Sequence, residues 1–312
     1  MVKLEPVDAV EVTLVVDNFV DIFLAGAEGV RRFPLAYDAL DHDQLVAEHG
    51  FSALVTVERD GRRSSVLYDG GMTPGGLANN LAVMEVDPAG LRAIVISHGH
   101  VDHHGGLEGL AARGGRRLPL VIHPGAWRER KIAFPTGAEL RLPPPSRTDL
   151  EAEGLEVVEE RGPTLLLDGR LLVSGQVERV SAFETGFPIH KARAGDGWEP
   201  DPLILDDQNL IVEVAGKGLV VVSGCSHAGA VNVLRNASRL TGQTRIAGFV
   251  GGFHLTGAIF EPIIEPTVAA FADLAVGRFV PGHCTGWRAT HRLAQAFPDA
   301  FIQPSVGTVL RF

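Results

Sequence analysis

Residues 97–107 read Ser-His-Gly-His-Val-Asp-His-His-Gly-Gly-Leu, and the fold turns on what flanks them. The preceding run, 93–96, is apolar, mostly β-branched and too short for a helix, which predicts a buried strand emptying into a loop. That loop delivers His98, His100, Asp102 and His103 into one small volume. Neutral imidazoles and a carboxylate so closely spaced suit a borderline-soft divalent cation, zinc first. The alternative is a solvated His-rich turn. Four metal-type side chains within six positions, directly after a strand, weigh against it.

Outward from this stretch, the chain has 312 residues, 45% of them hydrophobic and 21% charged, as expected of a globular protein with a large core. A net charge of -10 and a pI near 5.6 argue against nucleic acid or an anionic membrane as partner. Residues 1–15 lack the basic and apolar regions of a secretion signal, and no apolar run reaches bilayer length. Only two cysteines occur, Cys225 and Cys284, each close to a histidine, so site residues are expected rather than a disulfide. The expectation is a cytoplasmic protein acting on a small molecule.

Alternating or apolar runs predict strands at 10–16, 51–57, 64–68, 121–122, 165–167, 171–173 and 177–183. Helical spacing is read at 74–84, 107–112 and 125–130. Residues 19–45 are irregular and read as a lid or a surface connection. The polar segment 184–202 reads as a long exposed loop forming a pocket wall, with His190 facing substrate and Lys191 and Arg193 available to an anion. His123, at a strand end, either bonds within its own loop or faces the site. Asp69, at the end of 64–68, reads as a turn residue capping its own backbone.

The second half repeats one motif. Runs at 219–222, 246–250 and 278–280 end in Gly-Cys-Ser-His, Gly-Gly-Phe-His and Pro-Gly-His-Cys-Thr. Parallel strands place their carboxyl ends on one sheet edge, so His227, His254 and His283 are expected to converge there. Helices are expected at 228–240 and 266–274 between them.

The His-x-His-x-Asp-His spacing at 98–103, followed by Gly-Gly at 105–106, resembles the signature of the metallo-β-lactamase-fold hydrolases. Asp-Asp-Gln-Asn-Leu at 206–210, Gly-Cys-Ser-His-Ala-Gly-Ala-Val-Asn at 224–232, Gly-Gly-Phe-His-Leu at 251–255 and Gly-His-Cys-Thr-Gly at 282–286 resemble one branch of that superfamily. The branch includes dihydropterin-ribofuranosylaminobenzene-phosphate synthases. The resemblance implies a four-layer αββα sandwich, two mixed β-sheets flanked by helices, in a single domain over 1–312 with peripheral insertions at 19–45 and 184–202.

By the same resemblance, His98 and His100 hold a first metal, and Asp102, His103 and His283 a second, while Asp69 orients the histidine loop by hydrogen bonds instead of only capping its own turn. His227 stands in for a histidine missing near Leu205, and Cys225 replaces the usual bridging aspartate. One or two divalent ions are implied: zinc, or else manganese or iron. Such an ion holds a water and lowers its pKa to about 7, the chemistry of a hydrolase acting on an ester, lactone or phosphoester. Asp102 or His254 manages the proton, and His123, His190, Lys191, His254, Cys284 and Thr285 are candidates for touching substrate. The alternatives are a synthase joining a pterin to an aminobenzene phosphate with loss of pyrophosphate, and a non-catalytic binding module. The oligomeric state is left open.

Overall fold

The computed structural model describes residues 1–33, 42–108, 110 and 117–312. Two sheets dominate. In the larger, the antiparallel strands Ala9–Val16, Ser52–Arg59 and Arg62–Tyr68 lead into the parallel strands Leu91–Val95, Leu118–Ile122 and Leu155–Glu159. The other runs from Thr164–Leu166 through Leu171–Val173, Asn209–Val214 and Gly218–Ser223 to Ile246–Gly252 and Phe279–Gly282, with the last three parallel.

The valine-rich composition of these strands explains the layering. Val10, Val12, Val55 and Val66 of one sheet meet Leu210, Val212, Val220 and Val250 of the other in one buried layer. β-branched side chains pack well on a pleated surface, and this interior is buried from both sides. The outer face of the smaller sheet is covered by the helices Ala230–Thr241, Ile264–Leu274 and Trp287–Ala296 through Val231, Leu234, Phe271 and Leu293. Leu77 and Leu81 of the helix Pro74–Val83 cover the larger sheet with Leu67, Ile94 and Leu120. The result is the αββα sandwich. Helix Ala230–Thr241 ends on Gly242 at φ 78°, a left-handed position where a side chain would be strained.

Three expectations need correction. Residues 177–183 form no strand, although Val177 is buried. Residues 184–202 are not a long exposed loop: His190–Ala194 and Gly197–Pro200 form a hairpin. It joins Arg130–Ala133 and Glu139–Leu142 in a third, four-stranded sheet. Arg130 therefore begins a strand, and the helical turn before it stops at Trp127. Parts of the expected lid, 34–41, and of the helix at 107–112 lie outside the described residues. Among the described residues no helix is long and apolar enough to cross a membrane.

Candidate functional site

The parallel strands of both sheets empty onto one edge, and the histidines meet there. His98 Nε2 lies 3.0 Å from His100 Nδ1 and 3.1 Å from His227 Nε2. A second group forms around Asp102, whose Oδ2 is 3.3 Å from His283 Nε2 and 3.7 Å from His103 Nε2. Cys225 Sγ sits 3.2 Å from His103 Nε2, linking the two groups. His98, His100, His103, His227 and His283 are all buried.

Hydrogen bonds behind the rings decide which nitrogen carries the proton. Asp69 accepts from the Ser97 amide at Oδ1 (2.6 Å), and at Oδ2 from the Ser97 hydroxyl (2.7 Å) and His103 Nδ1 (2.7 Å). In the neutral ring His103 Nε2 is therefore the bare nitrogen, and it faces the cluster, although, against its burial, Asp102 and Asp69 raise the His103 pKa. The Ser97 hydroxyl has spent its proton on Asp69, so it accepts from His98 Nδ1 (2.9 Å), which leaves His98 Nε2 bare too. His283 Nδ1 donates to Asn18 Oδ1 (3.2 Å), turning its other nitrogen toward Asp102. A ligating histidine is ordinarily held in this way, by its other N–H.

The electrostatics divide the site in two. Burial, reinforced by neighbouring imidazoles, pushes His98, His100 and His227 well below the ordinary histidine value, so this trio is neutral. Burial would raise Asp102, but His103 and His283 outweigh it and hold the carboxyl well below its usual range. Burial likewise opposes charge on His283, yet Cys284 and Asp102 raise it to about 9. One group is thus uncharged and the other is built around an anion. Burial pushes the Cys225 thiol up, so a metal would have to displace its proton.

The Asp-Asp-Gln-Asn segment clamps the loops that carry these residues. Asp206 Oδ2 accepts from the Gly99 amide (2.8 Å), Asp207 Oδ2 from the Ala228 amide (2.9 Å), and Gln208 Nε2 donates to the Ile96 carbonyl (2.7 Å). Arg130, itself fully buried, holds Asp206 through both guanidinium nitrogens and Asp201 Oδ2 through Nε (3.1 Å). Gly99 has to be glycine, since a Cβ there would stand 2.1 Å from the Ala126 carbonyl oxygen.

The remaining candidates are scattered. His254, at φ 45°, packs against His227 with ring centroids 4.2 Å apart and planes tilted by 56°, and its nitrogens have no hydrogen-bond partner. His190 is buried, with Nε2 2.9 Å from His100 Nε2. Lys191 points to the opposite strand face from His190, away from the cluster. Thr285 is buried and accepts from the Phe253 amide, and Cys284 is buried with Sγ 3.6 Å from the Cys225 carbonyl. His123 Nδ1 accepts from the Gly125 amide (3.0 Å), the loop-bonded alternative.

His49 escaped the sequence reading because it stands in no motif. Its side chain is 63% exposed, with Nε2 3.5 Å from Asp102 Oδ2, which puts it at the mouth of the site. Two clefts reach the cluster. One, of about 570 Å³, is lined by Asn18, Phe19, His283, Trp287, Thr290 and His291. The other, of about 270 Å³, is lined by Glu184, His227, His254, Phe260 and Ile263 among others.

A two-sheet αββα sandwich whose strand-end loops gather imidazoles at one edge defines an α/β protein with a candidate metal centre. The profile of the metallo-beta-lactamase superfamily matches residues 47–173 of this chain. It is 28% identical over 292 residues to the 7,8-dihydropterin-6-methyl-4-(beta-D-ribofuranosyl)-aminobenzene-5'-phosphate synthase of Methanocaldococcus jannaschii, covering 91% of this chain and 97% of that one. An uncharacterized protein of the same organism is 29% identical over 279 residues, covering 88% and 97%. Among solved structures, that of Tm1679, described as a metal-dependent hydrolase of the beta-lactamase superfamily, matches with a TM-score of 0.72 and 25% identity, covering 97% of this chain and 98% of that one.

Proposed function

We propose that this chain is a single-domain, metal-dependent hydrolase of a small-molecule ester, lactone or phosphoester. One observation carries the reading. His98 Nε2, bared by the Ser97 hydrogen bond, faces His100 Nδ1 at 3.0 Å and His227 Nε2 at 3.1 Å. Three buried imidazole nitrogens this close, one of them a bare acceptor, have the spacing of a ligand set that a cation between them would satisfy. The donor set fits a divalent ion of the zinc type: His98, His100 and His227 would hold one, and Asp102, His103 and His283 a second, with Cys225 beside it. Such an ion supplies Lewis-acid polarisation and a water that ionises near neutral pH.

The chain's own residues do the rest. Asp69 and Asn18 orient the rings of His103 and His283, and Asp206 and Gln208 hold the loop that carries His98 and His100. The unpartnered nitrogens of His254 support a proton-exchange role for it, and Asp102 is the other candidate. The 570 Å³ cleft is in the size range of small-molecule sites, and Trp287 and Phe19 give it an apolar wall. Metal analysis of protein purified without chelator, followed by a panel of esters, lactones and phosphodiesters, tests the reading. A chain that takes up neither zinc, manganese nor iron refutes it.

A second reading has its own support: the synthase relative is similar over 91% of this chain. In that case the same centre would promote transfer between a pterin diphosphate and an aminobenzene phosphate. Release of pyrophosphate with formation of the joined product, and no turnover of the ester panel, would favour it.

A further inference from the structure

We propose that His190 is a positioning residue that selects which nitrogen of His100 faces the metal; the proposal rests on the metal reading above. The argument is one of proton counting. His190 Nδ1 lies 2.9 Å from the main-chain carbonyl of Asp201, which can only accept, so Nδ1 carries the proton. In the neutral ring, which is fully buried, that one proton is placed on Nδ1, so Nε2 is the accepting atom of its contact with His100. His100 Nε2, 2.9 Å away, has to donate to it. That leaves the lone pair of His100 on Nδ1, the atom 3.0 Å from His98 Nε2. The opposite tautomer would set two bare nitrogens against each other at the His190 contact and aim an N–H into the donor cluster.

The relay is anchored by the third sheet. Strand His190–Ala194 pairs with Arg130–Ala133 in the register His190 to Ile132 and Ala192 to Arg130. Arg130 in turn holds Asp201, whose carbonyl sets the His190 tautomer, and Asp206, which grips the Gly99 amide. One guanidinium therefore braces the histidine loop and the ring behind it. This accounts for a buried histidine that a substrate could not touch.

The test uses the full chain with 15N-labelled histidine. In metal-free wild type, long-range 15N–1H correlations are expected to show His190 protonated at Nδ1 and His100 at Nε2. Zinc affinity, read by chelator competition, is expected to fall about 10–100-fold in His190→Phe. His190→Gln, whose amide oxygen can accept from His100, is expected to recover most of the loss and to keep the His100 tautomer. A wild-type His100 protonated at Nδ1, or a folded His190→Phe that binds zinc like wild type, overturns the proposal. If the phenylalanine variant fails to fold, the wild-type tautomers and the glutamine variant decide. Wild type that shows both tautomers but binds no zinc refutes the metal reading and, with it, this role for His190.

Discussion

Asp69→Asn is the sharpest perturbation of the site. Asp69 sits at φ 61°, a left-handed conformation that asparagine tolerates, so the substitution changes charge and donors with little backbone cost. The carboxylate accepts three hydrogen bonds, from the Ser97 amide, the Ser97 hydroxyl and His103 Nδ1. An amide cannot accept all three. With its nitrogen at the Oδ1 position, it meets the Ser97 N–H donor to donor. With its nitrogen at the Oδ2 position, His103 must move its proton to Nε2, which then points into the cluster and stops being a ligand. Either way a buried, fully enclosed bond is lost, at about 1–3 kcal/mol for an unsatisfied group. Zinc affinity should fall about 10–100-fold, equivalent to about 1.4–2.7 kcal/mol. Chelator competition measures the affinity, and urea unfolding of the metal-free chain measures the stability. A variant matching wild type in both would falsify the tautomer argument, because nothing else about the substitution compensates for the lost acceptor.

Arg130→Met should destabilise the chain by about 3–5 kcal/mol in urea unfolding, since it leaves Asp206 and Asp201 buried without their cation. Adding Asp206→Asn should recover part of that loss, and purely additive effects would argue against a coupled pair. Trp287→Ala, which removes a 78% exposed ring from the cleft wall, should raise KM for an apolar substrate several-fold and leave metal content unchanged. Loss of metal would place Trp287 in a structural role instead. Burial raises Asp207 from an ordinary value of 3.8 to about 7, so its contribution to stability is full below pH ~4 and is lost as the pH climbs through ~7. The gap of about 3 pH units, at about 1.4 kcal/mol each, caps the loss at about 4 kcal/mol. Asp207→Asn should flatten this part of the metal-free stability profile, and parallel profiles for the two proteins would refute the assignment.

What the sequence made legible was whatever repeats at short range. The strands at 10–16 and 219–222 were readable because β-branched side chains dominate short runs bounded by turn residues. The three Gly-and-His strand ends were readable because parallel strands share an edge, and the rings of His98 and His227 do meet there, 4.6 Å apart. The third sheet was not readable. Its strands, Arg-Lys-Ile-Ala, Glu-Leu-Arg-Leu, His-Lys-Ala-Arg-Ala and Gly-Trp-Glu-Pro, are rich in charge and bury an arginine, a lysine and a histidine beside only one alanine and one leucine. Hydropathy registers such segments as loop, because their burial comes from tertiary ion pairing rather than from apolar area.

The same physics explains why candidate donors were easier to read than their supports. A ligand has to be a histidine, cysteine or carboxylate, and few residue types at tight spacing stand out in a chain. A support needs only one acceptor or donor at the right point, and a main-chain carbonyl serves, as that of Asp201 does for His190. Asp69 and Ser97 are 28 positions apart, and Arg130 and Asp206 are 76 apart. No local pattern encodes those pairings. They arise because separate strands bring the partners together, Arg130 from the start of a third-sheet strand and Asp206 from the segment before Asn209–Val214, so their geometry exists only once the sheets have formed. The Asp-Asp-Gln-Asn motif is the exception: it was visible as a motif, and its role as a clamp on both histidine loops emerged only from the fold.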